Sequence, residues 1–210
     1  SNVVMPIGWS RTLAACVDEG LIERDRLLDA LLEMLAADLP SGRAGWYSRT
    51  LRMLSMTIDE AEARQATLCA LMSAPVGATV TLALRHLSAL ARAGRLDVGL
   101  FARSCEGALM GSKANALTVV RILRDGLGAV EGGDLDPLLG IALSFPSAQV
   151  QRAALGLARD NVTASILTRE SVAALVDQVD LDPLVAREAR EFMSASAMLD
   201  RPGPGLVHEA

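Results

Sequence analysis

Apolar residues recur three and four positions apart along almost the whole of this 210-residue chain. In Arg26-Leu27-Leu28-Asp29-Ala30-Leu31-Leu32-Glu33-Met34-Leu35 that spacing makes one buried face on a helix. The periodicity is interrupted at Gly20, Pro40 to Gly45, Ser73 to Gly77, Gly94, Gly111, Gly126 to Asp136, Pro146 and Asp180 to Pro183. Each interruption supplies a glycine, a proline or a capping residue. The pattern predicts helices near 8–19, 24–38, 44–56, 59–73, 76–93, 97–110, 113–127, 135–144, 147–160, 169–178 and 183–197, and no strand. Asp25, Asp59, Asp97, Ser112, Asp134, Ser147, Thr168 and Asp182 stand at or near the predicted starts, where a short side-chain oxygen accepts from free backbone amides.

The helices carry a longer period. The second helix of successive pairs aligns Leu51-Arg52-Met53-Leu54, Leu84-Arg85-His86-Leu87, Val120-Arg121-Ile122-Leu123, Leu155-Gly156-Leu157-Ala158 and Ala189-Arg190-Glu191-Phe192, at offsets of 33, 36, 35 and 34. Such spacing predicts an all-α fold, an α-solenoid of about five helical hairpins over 1–200, each hiding its neighbour's apolar flank. The segment 201–210, with Arg201-Pro202-Gly203-Pro204-Gly205, reads as a tail or linker. Glu19-Gly20-Leu21-Ile22, Ala93-Gly94-Arg95-Leu96 and Gly132-Gly133-Asp134-Leu135 read as recurring turns, in which glycine closes a helix. The two tryptophans sit in matching phrases, Gly8-Trp9-Ser10-Arg11 and Gly45-Trp46-Tyr47-Ser48-Arg49. These are either cognate pieces of successive repeats or a chance match, and in both cases packing is the simpler role for the rings.

Composition narrows the function classes. Half of the residues are hydrophobic but only six are aromatic, so close helix packing by Ala, Leu, Val and Met is expected. A net charge of −5 removes any global drive toward nucleic acid or anionic membrane. Arginine outnumbers lysine nineteen to one, most simply a mark of GC-rich coding. Cys16, Cys69 and Cys105 are far apart and odd in number, which argues against a disulfide framework or CxxC site and fits a reducing cytoplasm. The uncharged run Gln65 to Leu84 is divided by Pro75 and Gly77, so no membrane span is expected. Ser1-Asn2 reads as a tag remnant on a piece of a longer chain.

The unit length and helix pairing resemble HEAT repeats, on the short side of that class. The run Gly20-Leu21-Ile22-Glu23-Arg24-Asp25-Arg26-Leu27-Leu28-Asp29, with Gly45-Trp46-Tyr47-Ser48-Arg49 and Ser73-Ala74-Pro75-Val76, resembles an uncharacterised family of large bacterial helical-repeat proteins over residues 15 to 125. That resemblance implies no activity and assigns no residue a role.

Catalytic chemistry finds little support. His86 lies within a predicted helix and His208 in the tail, too few and too separate for a zinc site or a Ser/His/Asp triad. Gly126-Leu127-Gly128 and Gly132-Gly133 lack the spacing of a phosphate loop, and the carboxylates gather at helix ends as caps. No cofactor and no metal are expected. One constellation remains. Arg52, Arg85, Arg121 and Arg190 occupy equivalent positions of four second helices, with Gly156 as the gap, and Arg49, Arg124, Arg152 and Arg187 widen the column. Such a ladder would engage an acidic peptide or a phosphate backbone. The competing reading pairs these arginines with acids of neighbouring units or lays their stems along apolar surface. The expected function is a non-catalytic, monomeric scaffold whose concave face binds a protein partner or another domain of its parent chain. A nucleic-acid-binding solenoid like the helical-repeat DNA glycosylases is the alternative, disfavoured by net acidity and few aromatics. A third possibility is the helical part of a larger enzyme.

Overall fold

The computed structural model describes residues 7–37 and 39–197. The predicted tail and His208 lie outside the described residues. Thirteen α-helices and one 3-10 turn make up the described chain, and no strand occurs among those residues. The helices are α1 (Ile7–Asp18), α2 (Arg24–Ala36), α3 (Ser41–Leu54), α4 (Ile58–Ala63), α5 (Gln65–Ala70), α6 (Gly77–Arg92), α7 (Val98–Ser104), α8 (Glu106–Leu109), α9 (Lys113–Asp125), α10 (Gly132–Leu143), α11 (Ala148–Thr163), α12 (Arg169–Asp177) and α13 (Pro183–Ala197). The 3-10 turn, Leu71–Ser73, follows α5.

Several ends form as the side chains dictate. Asp97, Ser112 and Thr168 accept from the amides of Leu100, Asn115 and Ser171, and the Asp182 carboxylate accepts from Leu184 N. Gly20 and Gly94 take φ of +73° and +67°, the left-handed geometry expected of helix-closing glycines. At α4 the cap is Thr57 instead of Asp59. Its hydroxyl accepts from Glu60 N while the Glu60 carboxylate accepts from Thr57 N, a reciprocal capping box. Asp25 and Asp134 lie within first turns rather than at caps, and Ser147 caps by position without a side-chain bond.

Three expectations are corrected. The helix predicted over 59–73 is broken at Arg64, whose side chain donates to Asp29 and Asp25 of α2 at 2.6 and 2.9 Å. The helix predicted over 97–110 is broken at Cys105, whose amide and thiol both turn back to Ala102 O. Apolar spacing continues through both breaks, so the pattern alone does not register them. Gly132-Gly133, read as a helix-closing turn, instead begins α10 three residues earlier than predicted, with Pro137 inside the helix. A Cβ on Gly132 would stand 2.8 Å from Ile166 O, so the close approach of the loop before α12 fixes glycine there.

Helix contacts fall into two rows. In the first, α1, α3, α6, α9, α11 and α13 touch in that order. In the second, α2 touches α5, α5 touches α7, α7 and α8 touch α10, and α10 touches α12. Each second-row element also packs on a first-row helix: α2 on α3, α4 and α5 on α6, α7 and α8 on α9, α10 on α11, and α12 on α13. Leu28, Leu51, Leu68, Leu87, Phe101, Leu109, Val119, Leu139, Leu155, Val172 and Val185 run through both rows as one fully buried core. Trp46 is buried there and Trp9 is 57 % exposed, so the matching phrases place their rings differently. α3 has first-row neighbours on both sides, α1 and α6, and α1 packs on α3. No helix among the described residues is long and apolar enough to cross a membrane.

Candidate functional site

Charge is unevenly divided between the rows. α3, α6 and α9 together hold Arg43, Arg49, Arg52, Arg85, Arg92, Lys113, Arg121 and Arg124 against one carboxylate, Asp125. In the second row, α4 carries Asp59, Glu60 and Glu62 with no cation, and α10 carries Asp134 and Asp136 with none.

Several acids of the second row are paired with arginines of that row or of the turns beside it. Arg24 reaches Glu60 at 2.5 Å and also donates to Leu54 O at 2.6 Å, tying α2 to the end of α3 and the start of α4. The Arg24 guanidinium, first among several causes, holds the Glu60 carboxyl down at about 2. Arg64 grips Asp25 and Asp29, and Arg95 reaches Asp59 and Glu62.

First-row arginines divide by position along the chain. Toward the C-terminus they are engaged. Arg124 of α9 donates to Asp160 of α11 at 2.5 Å, and Arg152 of α11 donates to Glu188 of α13 at 3.0 Å. Gly156, the gap in the ladder, is where the Arg124 guanidinium passes, since a Cβ there would lie 3.9 Å from its nitrogen. Arg187 sits 3.7 Å from Glu191, and Arg159 lies over the Phe192 ring, as does Arg169 of α12. Toward the N-terminus the arginines remain unneutralised: Arg49, Arg52, Arg85, Arg92 and Arg121 are exposed and have no salt bridge among the described residues.

Three of these five converge. A groove of about 440 Å³ runs between α3 and α6, lined by Gly45, Ser48, Arg49 and Arg52 from one helix and Ala78, Thr81, Leu82 and Arg85 from the other. It brings together two ladder arginines, Arg52 and Arg85, with no carboxylate lining it among the described residues. Ser48 is 3 % exposed, and its hydroxyl has no hydrogen-bond partner among the described residues. Thr81 is satisfied by Gly77 O and Asn115 Oδ1. The next groove, between α6 and α9, repeats the arrangement with Ser88, Arg92 and Arg121, but Asp125 shares its lining. Ser88 is likewise buried without a partner. Arg190 is separate from the others: it lines a groove between α12 and α13 beside Asp177, and its Nε donates to Ala186 O. The predicted column thus resolves into one open groove, one shared with an acid, Arg124 drawn onto Asp160, and Arg190 apart. Ser48 and Ser88 were not candidates in the sequence, although each stands four residues before a groove arginine, a repeated Ser-x-x-x-Arg that was legible.

His86 is half-buried beside Arg85, with its Nε2 unpartnered. Burial first, and Arg85 second, push its pKa below the ordinary 6.5. The folded chain therefore resists a proton that the unfolded chain accepts. Its stabilising share is fully present above about pH 6.5 and is lost as pH falls below that value, levelling off once the lower folded pKa is passed. Tm is expected to decline between about pH 7 and 5.5, and His86→Gln to flatten that part of the profile. Equal slopes in both proteins would remove the assignment. Burial raises the Cys69 and Cys105 thiols to about 11 and 12, which suits packing residues rather than nucleophiles. Among the described residues no three His, Cys, Asp or Glu side chains gather as a metal-binding group.

The family described as "Domain of unknown function (DUF6493)" matches residues 6–116, a stretch that contains the whole groove between α3 and α6. No curated protein and no solved structure matches the chain.

Proposed function

Because the chain belongs to the DUF6493 family, a domain without an assigned activity, we propose its function from geometry: a non-catalytic helical-repeat scaffold that binds a protein partner through its first row. In this reading five pairs, α2/α3, α4–α5/α6, α7–α8/α9, α10/α11 and α12/α13, stack as a HEAT-like α-solenoid behind α1. The order of contacts in both rows supports it. So does the register of the ion pairs: Arg24 to Glu60, Arg95 to Asp59, Arg124 to Asp160 and Arg152 to Glu188 each join residues 36 apart, the length of one unit. The first row would be the concave face of a single copy working in a reducing cytoplasm.

The observation that carries the reading is the unneutralised guanidinium surface of α3 and α6. Arg24, Arg64, Arg95, Arg103, Arg124, Arg152 and Arg187 are each within 4 Å of an acid, whereas Arg49, Arg52 and Arg85 around the groove have no acid partner among the described residues, as a surface kept for another molecule would leave them. A photo-crosslinking residue in place of Ala78, exposed in the groove, is expected to give discrete protein adducts in the source cells. The same residue in place of Glu33, exposed on α2 of the second row, is expected to give none. Nucleic-acid adducts at Ala78, or the same adducts from both positions, would overturn the proposal in favour of the nucleic-acid reading or of nonspecific contact.

A further inference from the structure

We propose that the groove between α3 and α6 is a recognition site for a carboxylate side chain carried on an acidic, extended segment of a protein partner. The inference rests on the scaffold reading and names the chemistry of what that scaffold holds. Arg49 and Arg52 enter from one wall and Arg85 from the other, so an anion seated between them meets guanidinium groups from both helices. The planar fork of arginine matches the two oxygens of a carboxylate, and a charge-assisted pair of that kind is about twice as strong as a neutral hydrogen bond. Among the described residues no acid competes for the seat, in contrast to the α6/α9 groove with its Asp125.

Ser48 adds an independent pointer. A buried hydroxyl without a partner costs free energy in the folded chain, and a groove-lining acceptor would satisfy it. The rest of the lining selects a peptide over a nucleic acid. Gly45, Ala78 and Leu82 offer apolar contact beside the guanidiniums, and among the described residues no aromatic ring lines the groove for bases to stack upon.

The test is fluorescence anisotropy on the full chain at low salt. The probe is a labelled, end-capped eight-residue peptide alternating Glu and Ala, compared with its Gln counterpart and an eight-nucleotide thymidine oligomer. The Glu peptide is expected to bind at least about tenfold tighter than either. Arg52→Ala with Arg85→Ala should weaken it by about tenfold or more, while Arg26→Ala with Arg103→Ala, which removes the same two charges from α2 and α7 of the second row, leaves it unaltered. Ser48→Ala should weaken binding by about threefold without lowering Tm, because it deletes a hydroxyl that has no partner in the folded chain. No binding of the Glu peptide, equal binding of Glu and Gln peptides, or tighter binding of the thymidine oligomer overturns the proposal. Protein crosslinks at Ala78 together with any of those results would leave the scaffold standing and remove only the carboxylate. Absence of crosslinks together with Glu-selective binding would do the reverse.

Discussion

Phe101→Ala is expected to destabilise the chain by about 3–5 kcal/mol, read as a fall in the urea midpoint followed by far-ultraviolet circular dichroism. Phe101 is fully buried in α7, a helix of only seven residues that touches α5, α8, α9 and α10. The walls of the resulting cavity therefore belong to several helices, which cannot all close inward without disturbing their other contacts. Aromatics are scarce enough that no second ring takes over: Trp46 lies in α3, and Phe145 and Phe192 are only partly buried. If pairs stack as proposed, the damage concentrates in α7, α8 and α9 and reaches the groove between α3 and α6 only through nearest neighbours. Hydrogen exchange should show loss of protection first in α7 to α9. A cost under about 1 kcal/mol would mean that the site collapses freely, contrary to the packing described.

Gly107→Val is expected to cost about 2–3 kcal/mol for the opposite reason, an atom too many where two backbones meet. A Cβ at Gly107 would stand 2.9 Å from Met72 O and 3.0 Å from Ser73 Cα. Both belong to the main chain of the 3-10 turn that α8 packs against. Main chain moves only with its whole element, so the seam between α8 and that turn must open. An intermediate in urea, or a lower midpoint with peptide affinity at the α3/α6 groove kept, would place the damage at that seam. A variant as stable as the parent would show that the close approach is not required.

The sequence carried the helical class in its three-and-four spacing, and it placed the closing glycines at Gly20 and Gly94 and the caps at Asp97, Ser112 and Thr168 because these depend on a few adjacent residues. It placed the breaks at Arg64 and Cys105 inside continuous helices, since Arg64 is drawn across to Asp25 and Asp29, more than thirty residues away. Gly132 and Gly133 resembled a turn for the same reason: the neighbour that demands glycine, Ile166 O, is remote in the chain.

For the candidate site, the sequence by itself determined that arginines stand at aligned positions of four helices, Arg52 of α3, Arg85 of α6, Arg121 of α9 and Arg190 of α13. Which of them stay unpaired was decided by tertiary structure alone. An acid four residues away is visible in the sequence, but Asp160 lies thirty-six residues beyond Arg124, and only the packing of α9 on α11 brings the two to 2.5 Å. No such acid approaches Arg52 or Arg85 among the described residues, and this three-dimensional difference separates a satisfied surface from an open groove.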